Sequence, residues 1–254
     1  MAKEGGSSCN ATQEAGLLSP FSRLSLQPRR RPLLILDVNG LLLYRVRKAA
    51  LRSMHIGRRP DASARGVAVF LRPHALSFVR WCAEEFALVV WSTAAAHNVS
   101  PLVDLVFRDS PPPLAVFDGS HCTATGRMHP HEQHKPLVLK QLSTVWSHDA
   151  LRHFSARDTL LLDDSPYKAA ANPQNTSLHP PAWAPHAEGE DAAALGPHGA
   201  IRMALAAVGA AADTREAVLA VRRSDPAFWA DPEGDPLYRL LREEHLRSAE
   251  AASS

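Results

Sequence analysis

The stretch LLILDVNGLLL (residues 33–43) is an apolar run that contains one carboxylate, Asp37, and one amide, Asn39. Its first five residues have the length and composition of a buried β-strand that ends in an acid. An aspartate at the end of such a strand either caps a turn or takes part in chemistry. The polar residues that end the neighbouring strands decide between these two interpretations.

The composition of the 254-residue chain is that of a soluble globular protein, with 45% hydrophobic and 21% charged residues. Its length suits one domain of ordinary size with a smaller attachment. The formal net charge of +2 is too small to indicate a nucleic-acid or anionic-membrane partner, and no run of about 18 apolar residues predicts a membrane span. The three widely spaced cysteines suit a reducing compartment better than a disulfide framework, because their number is odd.

Apolar runs of strand length alternate with segments of helical spacing along much of the chain. This alternation is typical of an α/β fold in which a parallel sheet is covered by helices on both faces. The predicted strands are residues 33–37, 67–71, 87–92, 114–118 and 159–164, and the predicted helices between them are residues 74–86, 93–107 and 135–146. The polar segment 119–134 is predicted to be a loop or a small insertion.

Composition also divides the chain into three parts. Residues 1–31 are rich in small and polar residues and lack the apolar core of a signal peptide, so we predict a flexible tail. Residues 32–183 contain the alternating strands and helices and are predicted to form the main domain. Residues 184–254 are predicted to begin with a linker (185–199) and to continue as helices that pack on the domain or extend from it. The helical segments are residues 200–212, 214–223 and 236–247.

Polar side chains end three of the predicted strands, namely Asp37, Ser92 and the pair Asp163 and Asp164, and Lys140 lies between the last two strands. Ligands bind at the carboxyl ends of the strands in an open parallel sheet, so these side chains are expected to share one crevice. Carboxylates hold Mg²⁺, which prefers oxygen ligands. A hydroxyl and an ammonium can hold the oxygens of a phosphate, and an aspartate that faces the phosphate can attack it.

Five short motifs in this order resemble the haloacid dehalogenase superfamily, specifically the phosphatases that act on the carboxy-terminal domain of RNA polymerase II and their relatives. The motifs are DVNGLL (37–42), Arg72-Pro73, VVWS ending at Ser92, KPLVLKQLSTVW with Lys140, and DDSP (163–166) followed by NPQN (172–175). The resemblance covers about residues 32–183. It implies a three-layer, Rossmann-like parallel sheet of the haloacid dehalogenase type, with a small insertion and no large cap.

The resemblance also implies a role for each matched residue and a Mg²⁺ cofactor. The implied catalytic residues are Asp37, Asn39, Ser92 and Lys140, and the implied metal ligands are Asp37, Asn39, Asp163 and Asp164. Asp37 is expected to be the nucleophile, which forms an aspartyl-phosphate, and Asn39 is expected to face the metal through its backbone carbonyl. Ser92 and Lys140 are expected to hold the phosphate, and Lys140 is also expected to offset charge among the carboxylates. Asp164 is expected to bind the metal directly, and Asp163 directly or through water.

Asn39 departs from the family pattern, which has a second aspartate at this position. That aspartate protonates the departing hydroxyl and then activates water, whereas an asparagine has no titratable proton to give. Losing general acid–base catalysis costs about 10² to 10⁴ in rate, and an alkoxide leaving group suffers more than a phenolate. The sequence therefore predicts a phosphoserine or phosphothreonine phosphatase of weakened activity, acting on a phosphorylated or extended protein segment.

Asn39 also suits a catalytically inactive relative that binds peptides, similar to the receptor subunit of the mitochondrial inner-membrane protein translocase. Glu4 and Glu14 count against a mitochondrial transit peptide, which is usually poor in acids. The expected location is therefore the nucleus or cytoplasm, with the mitochondrion as the alternative, and the oligomeric state stays open. A small-molecule phosphatase is a third hypothesis, but the short segment between Ser92 and Lys140 predicts an open cleft suited to a macromolecule.

The polar segment contains several residues of the types that bind zinc. They are His121, Cys122, His129, His131 and His134. Their spacing matches no tight zinc motif. A partly exposed polar loop is the simpler interpretation.

Overall fold

A computed structural model describes residues 31–51, 53–54, 56–64, 66–186 and 190–253. All of the predicted N-terminal tail except Arg31 lies outside the described residues. The strands are β1 (Leu33–Leu36), β2 (Leu43–Arg47), β3 (Ala62–Ala64), β4 (Val67–Leu71), β5 (Ala87–Trp91), β6 (Ala115–Phe117), β7 (Thr123–His129), β8 (Glu132–Leu139), β9 (Thr159–Leu162) and β10 (Ser177–Leu178). The helices are α1 (Lys48–Leu51), α2 (Ala75–Glu85), α3 (Ala96–Phe107), α4 (Leu142–Trp146), α5 (Glu190–Ala193), α6 (Ala200–Ala210), α7 (Thr214–Ser224) and α8 (Pro236–Ser253).

The central sheet has five parallel strands in the order β10-β9-β1-β5-β6. Its middle strand β1 is fully buried, as expected for a parallel sheet with both faces covered. Alternate residues of β1 point to opposite faces: Leu34 packs with Phe78 of α2, and Ile35 packs with Leu142 of α4. The predicted three-layer α/β fold is confirmed.

The strand β6 forms one edge of this sheet and is only three residues long. It is entered through three consecutive prolines at positions 111–113. Two apolar side chains at this edge are open to solvent: Val116 of the strand is 42% exposed, and Leu114, which precedes the strand, is 57% exposed. The edge is therefore apolar, short and preceded by residues that have no backbone N–H to donate.

The prediction that residues 67–71 belong to the parallel sheet is wrong. These residues do form a strand, β4, but it pairs antiparallel with β2 and β3 in a separate three-stranded sheet. The neighbouring strand β2 was not predicted, because its sequence LYRVR carries two arginines. Val46, Ala68 and Phe70 bury one side of this small sheet against Trp183.

The predictions for residues 119–146 also need correction. The segment predicted as a loop and the start of the predicted helix form an antiparallel hairpin of β7 and β8, and helix α4 begins only at Leu142. Leu137 and Leu139 of β8 are buried, whereas Pro136 is exposed and Val138 is half-buried, so the burial follows the two-residue period of a strand. Lys140 therefore follows a strand and does not lie on a helix.

The C-terminal helices α6 and α7 pack into the same core as the central sheet, whereas the buried residues of α8 pack in a separate cluster with β8. Ile201, Leu205 and Val208 of α6 are buried in one cluster with Leu34 of β1. The segment 185–199, predicted as a linker, contains the short helix α5 and the buried Leu195 of the same cluster. The predicted helices at residues 200–212, 214–223 and 236–247 are present as α6, α7 and α8. Among the described residues, no helix has the length and apolar character needed to cross a membrane.

We expect Leu205→Ala to lower the free energy of unfolding by about 2–5 kcal/mol, because it removes a fully buried side chain and leaves a cavity. Met203→Ala on the same helix is the matched control, because Met203 is 56% exposed and its truncation should change stability by less than about 0.5 kcal/mol. Urea unfolding of the two variants measures the difference. Equal losses would contradict the packing of α6 against the sheet.

Candidate active site

The ends of three neighbouring strands bring Asp37, Ser92 and Asp163 to one edge of the central sheet. The backbone N–H of Asp37 donates to the carbonyl of Leu162 at 3.0 Å, and that of Ser92 donates to the carbonyl of Phe117 at 2.9 Å. Sheet pairing thus continues past the strands and fixes the backbone beneath each side chain. All three residues are buried, with exposed fractions of 4%, 5% and 0%. The site lies at the carboxyl ends of the strands, as the sequence predicts.

Lys140 lies at the centre of the site and is fully buried. Its Nζ donates to Asp37 Oδ1 at 2.8 Å, to Asp163 Oδ2 at 2.5 Å and to the backbone carbonyl of Trp91 at 2.6 Å. An ammonium has three N–H donors, so every donor of Lys140 is used. Two carboxylates and a carbonyl together compensate the charge that burial would otherwise disfavour.

Asn172, the first residue of the NPQN motif, holds the backbone around Lys140. Its Nδ2 donates to the Lys140 carbonyl at 2.9 Å, and its Oδ1 accepts from the Leu142 N–H at 2.8 Å. The N–H of Lys140 in turn donates to the Lys168 carbonyl at 2.8 Å. A buried asparagine with both ends of its amide bonded is a positioning residue that the sequence analysis did not identify.

A second lysine, Lys168, enters the site from the turn that follows Asp164. Its Nζ lies 2.7 Å from Asp163 Oδ1, 3.5 Å from Asp164 Oδ1 and 3.9 Å from Asp37 Oδ2. Burial alone disfavours the ammonium, but the three carboxylates outweigh it, so the pKa of Lys168 is raised well above its usual value. Lys168 is not among the predicted site residues because it lies outside the five motifs, although the chain has only five lysines.

The two acids that end β9 have opposite surroundings. Asp163 accepts from both lysines and from the Ser165 N–H at 2.9 Å, and against the effect of burial the two lysines hold its pKa far below the usual range. Asp164 accepts from the Ser165 hydroxyl at 2.9 Å. Burial raises the pKa of Asp164 to about 6; Lys168 opposes this rise, and the other carboxylates add to it. Asp164 is therefore the acid with the least compensated charge.

Asp37, Asp163 and Asp164 could hold a metal ion, since each offers a carboxylate oxygen and these oxygens lie within 4.8 Å of one another. A set of carboxylate oxygens suits a hard divalent cation such as Mg²⁺, so the residues present fit the cation that the family resemblance implies. The histidines and the cysteine of segment 119–134, all described, form no comparable group of three ligands.

Gly40 shapes the turn between Asp37 and β2. Its φ of +84° is readily adopted only by glycine, and a Cβ at this position would lie 2.0 Å from Asp164 Oδ2. Its carbonyl accepts from the Trp183 N–H at 2.7 Å. The absence of a side chain here lets the turn approach the carboxylate of Asp164.

Asn39 lies on the solvent side of the site. Its Oδ1 accepts from the backbone N–H of Arg45 at 3.1 Å, which ties the turn to the middle of β2. The side chain is exposed and reaches the cavity above Asp37. Its amide thus has a structural role, and it brings no titratable proton to the site.

The site opens into a cavity of about 400 Å³. Its lining residues are Asp37, Asn39, Arg45, Val46, Arg47, Val67, Ser92, Thr93, Ala94, Lys135, Asp164, Ser165 and Lys168. The fully buried Lys140 and Asp163 lie behind this surface. Lys168 is thus the ammonium that reaches the cavity from the floor of the site, and the position of Lys140 fits its predicted role of offsetting charge among the carboxylates.

The fold and this constellation of strand-end acids with a buried lysine define a haloacid dehalogenase superfamily domain. The family model of the NLI interacting factor-like phosphatases matches residues 32–197, and the chain belongs to this family. An uncharacterised FCP1 homology domain-containing protein of Schizosaccharomyces pombe is 28% identical over 164 residues. The match covers 62% of this chain and 64% of that relative, so the chain spans less than two thirds of the relative's length.

Two solved structures of an RNA polymerase II CTD phosphatase are also similar. One is fission yeast Fcp1 as a variant bound to beryllium fluoride, with 10% identity and a TM-score of 0.42. The other is a structure of Fcp1, an essential RNA polymerase II CTD phosphatase, with 9% identity and a TM-score of 0.41. Each match covers 87% of this chain and 64% of the other.

His179 supports the site from behind Asp163. It is fully buried, its Nδ1 lies 2.7 Å from the Asp163 carbonyl, and its Nε2 lies 2.9 Å from the Ser177 hydroxyl. The carbonyl can only accept, so Nδ1 carries the proton and Nε2 accepts from the hydroxyl. Burial lowers the pKa of His179 to about 4, although Asp163 opposes this shift.

This lowered pKa predicts a loss of stability in acid. The unfolded chain binds a proton at His179 near pH 6.5 and the folded chain only near pH 4, so the free energy of unfolding should fall by roughly 3 kcal/mol between these values. In His179→Gln this part of the fall should be absent. Urea unfolding at pH 7.5 and at about pH 4 measures it, and His198→Gln, at an exposed histidine, should keep the wild-type dependence. An unchanged dependence in His179→Gln would contradict the assignment.

Proposed function

We propose that this domain is a Mg²⁺-dependent phosphoprotein phosphatase that forms an aspartyl-phosphate on Asp37, and that Asn39 slows its turnover. The observation that carries the proposal is the shared cavity of Asp37, Ser92, Asp164 and Lys168, with Lys140 and Asp163 compensating charge behind it. Membership of a phosphatase family supports the reaction class.

Asp37 has one oxygen held and one available. Oδ1 accepts from Lys140, whereas Oδ2 lies 3.9 Å from Lys168 Nζ, beyond hydrogen-bond distance. The bond to Lys140 fixes the carboxylate so that Oδ2 can face a phosphorus atom in the cavity. In the proposed step Oδ2 forms a bond to phosphorus while the ester oxygen of the substrate leaves. Water then releases phosphate and regenerates the carboxylate.

Two side chains that line the cavity would hold the transferring phosphoryl group. Lys168 lines the cavity from the turn after Asp164 and the hydroxyl of Ser92 lines it from the end of β5, and the Ser92 Oγ also accepts from the Ala94 N–H at 3.3 Å. Asp37 and Asp164 would hold Mg²⁺, which when bound would offset the charge of the phosphate oxygens. These contacts strengthen as charge develops on the phosphoryl oxygens, which is the condition for catalysis.

The leaving group is the weak point of the proposed mechanism. Asn39 reaches the cavity where the family has an acid, and its amide cannot protonate a departing alkoxide. A serine or threonine leaving group must then take its proton from water. Phosphate esters of acidic phenols do not require this proton, because a phenolate leaves without protonation. The site should therefore hydrolyse them more readily.

The open cavity favours a phosphoserine or phosphothreonine in an exposed protein segment as substrate. Between β6 and α4 the chain forms a short helical turn and the β7–β8 hairpin and adds no large cap. We propose a nuclear or cytoplasmic location, because the three widely spaced cysteines suit a reducing compartment. Apart from Asn39, no observation on the described residues favours the translocase-receptor alternative.

Beryllium fluoride should be trapped on Asp37 of the wild-type protein when Mg²⁺ is present, because it mimics a phosphoryl group on a carboxylate. Asp37→Asn should lose the bound-fluoride signal in ¹⁹F NMR, and removal of Mg²⁺ by a chelator should abolish it in the wild type. Asp104→Asn, at an exposed aspartate of α3, is the control that should retain it. A signal that survives in Asp37→Asn would contradict the assigned nucleophile.

Asn39→Asp should raise the hydrolysis of a phosphoserine peptide by about 10² to 10⁴ in kcat/KM, because it restores a proton donor. The new carboxylate can still accept from the Arg45 N–H, so the turn should be retained. The gain for an aryl phosphate should be smaller, since a phenolate leaves without protonation. Gln174→Glu adds an exposed acid outside the cavity and should change neither rate. Equal gains for both substrates would contradict the role given to position 39.

A further inference from the structure

The wall of the cavity formed by β2 carries two arginines. Arg45 and Arg47 are two residues apart on one strand and both line the cavity, as the alternation of side chains along a strand allows. Lys135 of β8 lines the same cavity. The phosphate site is therefore bordered by cations that the proposed reaction does not use.

The two arginines lack a counter-charge in the described part of the chain. Neither guanidinium has an ion pair or hydrogen bond with another described residue, whereas Lys135 lies 2.7 Å from Glu132. Arg45 is half-buried and Arg47 is exposed. Burial lowers the pKa of Arg45, which is the effect of removing a cation from water without a compensating anion. An anionic group on a ligand would supply that compensation.

We propose that Arg45 and Arg47 select phosphorylated protein segments that carry a second anionic group, an acidic residue or another phosphate, within two residues of the phosphorylated one. This inference rests on the proposed function, and it assigns that function a substrate class. An extended peptide rises about 3.3 Å per residue, so its alternate side chains have the same spacing as Arg45 and Arg47 on β2. Guanidinium groups bind carboxylates and phosphates with two parallel hydrogen bonds.

The test compares two phosphoserine peptides. The acidic peptide has Asp at both positions before and both positions after the phosphoserine, and the neutral peptide has the isosteric Asn at the same positions. Binding to the full chain carrying Asp37→Asn, which removes turnover, is measured by fluorescence anisotropy. The acidic peptide should bind at least about tenfold more tightly at low salt, and the preference should shrink as ionic strength rises.

The variants Arg45→Gln and Arg47→Gln should each reduce this preference, and the double variant should bring it to within about twofold. Arg152→Gln is the matched control, because Arg152 is exposed and does not line the cavity. It should keep the full preference. Thermal melts of each variant establish that any loss is not due to unfolding.

Three results would overturn the inference: equal affinity of the two peptides, a preference that survives in the double variant, or competition by single-stranded RNA as strong as that by the acidic peptide. The last result would assign the arginines to nucleic acid. If beryllium fluoride is trapped on wild-type Asp37 but neither peptide binds, the inference fails and the proposed function stands. If trapping and aryl phosphate hydrolysis are both absent, the proposed function itself fails.

Discussion

The buried ammonium of Lys140 is the interaction on which the site and the centre of the fold both depend. It joins the ends of β1, β5 and β9 through Asp37, the Trp91 carbonyl and Asp163. A charge in this environment is tolerated only because all of its donors are bonded, and removing one partner of a buried pair typically costs about 3–5 kcal/mol. The network that holds Asp37, the proposed nucleophile, therefore also fixes the carboxyl edge of the sheet.

Because a second lysine, Lys168, is present, the three acids of the site have different surroundings. Asp163 accepts from Lys140 on one oxygen and from Lys168 on the other, which leaves it little capacity for a further ligand. Asp37 and Asp164 are the acids that line the cavity. The paired carboxylate behind them keeps both ammonium groups in place, so the cavity offers the positive charge of Lys168 beside the carboxylate of Asp37.

The parts of the fold that the sequence could predict are those with strong local signals. The strands β1, β5 and β9 are continuous apolar runs because both of their faces are buried, and each ends directly before a polar site residue. The sequence did not predict the strands β2, β7 and β8. Charged and polar residues occupy their exposed faces, and this obscures the two-residue alternation of apolar side chains. Lys168 and Asn172 could not be assigned from spacing, because only the folded turn after Asp164 brings them back to Lys140.

The short edge strand β6 has a consequence for the behaviour of the protein at high concentration. An open strand with exposed apolar residues such as Leu114 and Val116 is a template on which a second chain could add by backbone pairing. The prolines at positions 111–113 limit this template, because they offer no N–H to an incoming strand and prevent the edge from lengthening toward its N-terminal side. Replacing these three prolines is therefore expected to favour aggregation, although they lie outside the set of residues that line the cavity.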